Sequence, residues 1–162
     1  MVALTVDFAI KKFRGCRVAS IRFVGGWKGE DMLRGEFNEI RKWAKENSIK
    51  TGHWFFTEYD GPDVPDKERR WDAAIEVKGK ARSKGKIKVK DLPPSTVAYV
   101  KFDPDKVSAR LVYHGLEGWL GWQKKNHKYK ETDGWREVYP GDPWTNAKAW
   151  AGLEVQVPVK KP

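Results

Sequence analysis

The sequence predicts an α+β fold in which two β-α-β-β modules form one antiparallel sheet, with two helices and a cleft between the modules. Three observations predict it. Short runs with alternating or β-branched apolar residues recur along the chain, an amphipathic segment of helical period follows the first of them, and the second half repeats the order of the first. Two related units can close one sheet around a pseudo-two-fold axis. At 162 residues the chain fits one domain, 1–162, with module one at about residues 15–80, a basic linker at 78–92 and module two at about 93–160. Nine Trp, seven Phe and five Tyr within a 40% hydrophobic composition argue against disorder.

Residues 17–24, RVASIRFV, read as a strand that stops at Gly25-Gly26. The next segment places Leu33, Phe37, Ile40 and Ala44 on one helical face, with Glu30 and Asp31 where a helix N-terminus favours acids. HWFFTEY, residues 53–59, reads as an aromatic strand ended by Asp60-Gly61-Pro62. In WDAAIEV, Trp71, Ala73, Ile75 and Val77 alternate against Asp72 and Glu76, a half-buried strand. Residues 78–90, KGKARSKGKIKVK, carry a base at every even position and would present a cationic face if extended, with Gly79 and Gly85 as turns and Ile87 and Val89 packed inward.

STVAYVKF, residues 95–102, reads as a strand, and VSARLVY, 107–113, as its continuation or hairpin partner, so that Tyr113 and His114 close a strand. His114-Gly115 then stands where Gly25-Gly26 stood. LEGWLGWQKKNHKY, 116–129, reads as a weak helix, since Gly118 and Gly121 each cost up to about 1 kcal/mol relative to Ala. WREVYPGDPW, 135–144, reads as a strand entering a Pro-Gly turn, and GLEVQVPV, 152–159, as a last strand with Leu153, Val155, Val157 and Val159 on one face.

Strand alternation places Trp135, Glu137 and Tyr139 together and turns Arg136 and Val138 away. An acid between two rings suits a planar, cationic ligand, because the rings supply contact area and π-faces and the acid supplies the charge partner. A lone buried carboxylate is costly, so Glu137 is expected to be hydrated, protonated or paired with a base until a cation replaces that partner. By the internal repeat Tyr59 corresponds to Tyr139 and Thr57 to Glu137, and only the second copy carries an acid there. Trp27 and Trp119, read as flanking the two helix starts, are candidate cage walls. Trp54 and Phe56 share one strand face, Phe55 and Tyr59 the other, and either face could line the cleft. Tyr113 and His114 are expected at the junction of the modules.

The formal net charge is +10. The basic run lacks interleaved aromatics for base stacking, so nucleic-acid binding through residues 78–90 is expected to be weak and nonspecific at most. Cys16 has no partner for an intrachain disulfide, and His53, His114 and His127 lack metal-site spacing, so no metal or cofactor is expected. GGWKGE lacks the Gly-Lys-Ser/Thr ending of a phosphate loop, and spacing nominates no Ser-His-Asp or Cys-His arrangement. The N-terminus lacks signal-peptide order and no apolar run approaches a membrane span, so a soluble cytoplasmic protein is expected.

The order strand, Gly, helix, strand with Tyr-x-x-Pro, strand, followed by a second round with Glu-x-Tyr before Asp-Pro, resembles the GyrI-like (gyrase-inhibitory-protein-like) small-molecule-binding domain over roughly residues 5–160. That family includes effector-binding domains of AraC-type and MerR-type multidrug regulators. The resemblance implies bulky, hydrophobic, cationic ligands held in an aromatic-lined cleft, with Glu137 as the strand-borne acid and Tyr139 beside it. It leads to the expectation of a standalone binder that sequesters aromatic cations. A hydrolase of electrophilic cyclopropane-type xenobiotics, with Glu137 orienting or deprotonating a water, is the alternative. A second alternative is a protein-binding inhibitor of a topoisomerase such as gyrase, acting through the basic surface. The sequence shows no helix-turn-helix module, which argues against a complete transcription factor.

Overall fold

A computed structural model of the chain describes residues 6–162; the first five residues, part of the segment read above for signal-peptide order, lie outside the described residues. The architecture is α+β with antiparallel strand pairing, and the chain divides into two compact units. One is Arg14–Pro94. The other is Ser95–Pro162 together with the described residues before Arg14.

The strand β1 (Ala9–Phe13) belongs to the second unit. The first contains β2 (Cys16–Val24), α1 (Glu30–Glu46), β3 (Lys50–Glu58), β4 (Arg70–Lys78) and β5 (Lys88–Leu92), ordered β3-β4-β2-β5. The helical spacing of the sequence holds: Leu33, Phe37, Ile40, Trp43 and Ala44 are the buried stripe of α1. Phe37 stacks on Trp54 with centroids 4.8 Å apart, joining α1 to β3. Glu30 and Asp31 occupy the first turn and Lys45 the last, each of the sign the helix dipole favours at that end.

In the second unit β1 pairs with β6 (Ser95–Lys101), β6 with β9 (Glu154–Lys160), and β9 with both β8 (Trp135–Tyr139) and the two-residue β7 (Lys130–Glu131). Its helices are α2 (Ala109–Lys125) and α3 (Ala147–Ala151). Residues 107–113 are therefore not a strand; they run into α2, and Tyr113 and His114 are helical. The period decides it. Val112, Leu116, Leu120 and Gln123 form one buried stripe, so Val112 is 2% exposed while its neighbour Leu111 is 69% exposed. Reading VSARLVY as a strand separates Val112 from the stripe that continues into LEGWLGW. His114-Gly115 is consequently no turn. Three further elements, β1, β7 and α3, are too short to stand out by periodicity; α3 starts where Asn146 Oδ1 accepts from the Lys148 N–H at 3.0 Å.

Gly118 and Gly121 lower helix propensity but face open space, with no atom within 4 Å of an added Cβ, whereas a Cβ at Gly115 would lie 2.9 Å from Phe8 Cζ. Gly118→Ala and Gly121→Ala are each expected to raise stability by up to about 1 kcal/mol in urea denaturation. Gly115→Ala is expected to gain less or lose. A loss at either open position would show that something packs there.

Among the described residues no helix is long and apolar enough to cross a membrane, and no group of three or more His, Cys, Asp or Glu is placed to hold a metal.

Candidate functional site

The register Arg136↔Gln156, Glu137↔Val155 and Val138↔Glu154 fixes the pleat of β8. Arg136 is buried on one side of it, Nε donating to Gln156 Oε1 at 2.9 Å and the guanidinium lying 4.3 Å over the Phe13 ring. The opposite side carries Trp135, Glu137 and Tyr139. Tyr113 comes to this side from α2: its ring stacks on Trp135 at 5.9 Å and its hydroxyl donates to Glu137 Oε1. The Tyr139 hydroxyl donates to Glu137 Oε2 at 2.7 Å. Tyr139 in turn stacks on Trp150 of α3, 6.3 Å away and within 9° of parallel, and the Trp150 indole N–H donates to Asp105 Oδ1 at 3.0 Å.

The result is a half-buried carboxylate held between two phenols, with a ring pair on either side, Tyr113/Trp135 and Tyr139/Trp150. Among the described residues its hydrogen-bond partners are the two tyrosine hydroxyls, and no ion pair from a base reaches it. Hydroxyl donors satisfy carboxylate oxygens without cancelling a charge. The arrangement therefore sets an acid whose charge is not cancelled among four aromatic rings, the groups that attract a cation. Trp150 was missed by sequence reasoning, although Asn146 ahead of AKAWA is an N-cap signal that could have flagged α3.

The remaining candidates separate. In the first unit Trp71 lies between Phe23 and Phe56, each 5.8 Å away and nearly parallel, and Trp27, 45% exposed, leans on Phe56 and Trp71 at 5.6 Å. Arg69 stacks over Trp71 at 4.9 Å and pairs with Glu58. Sequence reasoning had assigned Trp71 only to a strand. Trp54 shares its face with Phe56 but is buried under α1 against Phe37, so it is a core ring and not a wall. Tyr59 points to the other face, where its hydroxyl donates to Asp72 Oδ2 at 2.9 Å; burial, with the Asp72 charge, pushes the phenol well above its usual range. Trp119 sits inside α2, not ahead of it, with its ring 6.1 Å from Phe8. His114 is an exposed helical residue 4.0 Å from Glu117.

The family model for the GyrI-like small molecule binding domain matches residues 7–160. Among solved structures, the C-terminal domain of EcmrR is similar with a TM-score of 0.72 and 23% identity, covering 98% of this chain and 100% of that one. In the EcmrR–DNA complex the likeness has a TM-score of 0.73 and 22% identity and covers 97% of this chain but 58% of the EcmrR chain. SAV2435, solved bound to tetraphenylphosphonium, has a TM-score of 0.55 and 10% identity over 95% of this chain and 94% of its own. A hydrolase from Listeria innocua has a TM-score of 0.55 and 9% identity, covering 94% of this chain and 91% of that one. None of the curated proteins compared matches the sequence. At these identities the likeness to the solved structures is one of fold.

Proposed function

We propose a function that proceeds from one premise: the chain belongs to the GyrI-like small molecule binding domain family. The protein binds bulky aromatic cations, with Glu137 as charge partner and Tyr113, Trp135, Tyr139 and Trp150 as the surrounding rings. One observation carries this reading: the Glu137 carboxylate is held by two neutral hydroxyls between two ring pairs, and among the described residues no cationic side chain pairs with it. Rings attract a cation through their quadrupoles, by about 0.5–2 kcal/mol, and the carboxylate adds a Coulombic attraction that is stronger in a half-buried site than in water. The tetraphenylphosphonium bound to SAV2435, a protein of the same fold, belongs to this chemical class.

Calorimetric titration with tetraphenylphosphonium and with neutral triphenylphosphine oxide tests the reading. The cation is expected to bind at least about tenfold more tightly, a difference of 1.4 kcal/mol, and to quench Trp fluorescence. Equal affinities, or no binding of the cation, would overturn it. Incubation with an electrophilic cyclopropane compound followed by mass spectrometry separates sequestration from turnover, and product is expected not to exceed the buffer control.

A further inference from the structure

We propose that the loop joining β4 to β5, with the start of β3 beside it, is a docking surface for the phosphate backbone of duplex nucleic acid. The segment from Lys78 to Lys90 holds seven bases on alternate positions and no acid. It is not one extended strand. Gly79 and Gly85 adopt φ of 90° and 59°, Lys84 and Ile87 exchange two backbone hydrogen bonds at 3.0 Å, and Ser83 Oγ accepts from the Val89 N–H at 2.9 Å.

Two of the seven bases are neutralised within the protein. Lys86 Nζ lies 3.0 Å from Glu39 and 3.6 Å from Glu36 on α1, and Lys90 Nζ lies 2.6 Å from Asp72. With Ile87 buried, these contacts pin the loop and leave Lys78, Lys80, Arg82, Lys84 and Lys88 exposed. Lys50, also exposed, stands directly opposite Lys78 in the β3–β4 ladder. Like charges placed opposite one another destabilise a sheet, and a polyanion lying across both relieves the repulsion.

The chemistry of the patch selects its partner. Ile87 is buried and Ala81 and Val89 are half-buried, so the segment has no large exposed apolar side chain to insert into a lipid interface. It has no aromatic on which unpaired bases could stack. It also lacks the aromatic anchors that centre most protein interfaces. What remains is six exposed bases on a preformed scaffold, suited to a regular row of phosphates and blind to base sequence.

Fluorescence anisotropy with a labelled duplex, titrated across salt concentrations, tests this. Six contacts predict a slope of log affinity against log salt of about −5, so affinity falls about a thousandfold between about 50 and 200 mM salt. Lys80→Gln/Arg82→Gln/Lys84→Gln should reduce the slope by about 2.7 and the fall to about fortyfold. A control, Lys124→Gln/Lys125→Gln/Lys128→Gln, removes equal charge from the second unit and should leave the slope near the parent's. Duplexes of unrelated sequence should bind alike, and the loop variant should melt with the parent and keep its affinity for tetraphenylphosphonium. The proposal is overturned by absence of binding at about 50 mM salt, by equal slopes for parent and loop variant, by an equal effect of the control, or by phosphatidylserine vesicles outcompeting the duplex.

Discussion

Glu137→Gln is expected to weaken tetraphenylphosphonium binding by about tenfold or more, at 1.4 kcal/mol per decade, while changing affinity for triphenylphosphine oxide by less than about threefold. The substitution keeps the side-chain shape and one acceptor oxygen but removes the charge that the ring pairs surround. It also places an amide NH2 where a tyrosine hydroxyl now donates, so a loss of affinity could arise from disturbed hydroxyls alone. Tyr113→Phe and Tyr139→Phe separate the two causes: each deletes a hydroxyl bonded to Glu137 yet keeps the ring and the carboxylate. Both should bind the cation at least as well as the parent, because the carboxylate exchanges a weaker partner for a stronger one. Tyr139→Ala should weaken cation and neutral ligand alike, since it removes the ring stacked on Trp150. If the Gln variant melts with the parent and binds the cation as tightly, Glu137 is not the charge partner.

How this site was legible in the sequence depends on what each residue needed. Strand alternation alone placed Trp135, Glu137 and Tyr139 on one face, because β8 is regular and its neighbour Arg136 is drawn to the other side by Gln156 and Phe13. Tyr113 was nominated as a strand end and reaches Glu137 from a helix. Three glycines weaken the helical signal of α2, and the buried stripe from Val112 to Gln123 restores the helix through packing that no local propensity shows. Trp150 depends on the five-residue α3, which is set by one capping Asn and the chain around it. Trp54 and Phe56 were correctly read as sharing a face, but only the placement of α1 tells that the first is covered and the second meets Trp27. The repeat linking Tyr59 to Tyr139 has a chemical counterpart: each hydroxyl donates to a carboxylate. In the second unit that acid lies two residues earlier on the same strand, whereas in the first it is Asp72 on the adjacent strand, a pairing that sequence comparison within the chain cannot display.

That difference puts Asp72 at the centre of a buried charge network in the first unit, and its loss should destabilise that unit. It is 2% exposed and accepts from Arg22 Nε and Nη2 at 2.9 and 3.2 Å, from Lys90 Nζ at 2.6 Å and from the Tyr59 hydroxyl. Asp72→Ala would leave two cations facing each other and a half-buried hydroxyl without its acceptor. Breaking a fully buried pair costs about 3–5 kcal/mol. Arg22 and Lys90 side chains are 44% and 34% exposed and can turn partly to water, so a loss of about 2–3 kcal/mol is expected, lowering Tm by roughly 4–12 °C. The pH dependence supplies an independent check. Burial alone would push the Asp72 carboxyl up, but hydrogen bonds from Arg22 and Lys90 outweigh it and hold the group below its ordinary value. A carboxyl depressed by folding contributes its full stabilisation above the unfolded value, about 3.9, and loses it as pH falls through the folded one. The gap in Tm between parent and Asp72→Asn should therefore be widest near neutrality and close below about pH 4. A gap that stays constant down to about pH 2.5, or no gap at neutral pH, would show that Arg22 and Lys90 draw no stability from this carboxylate.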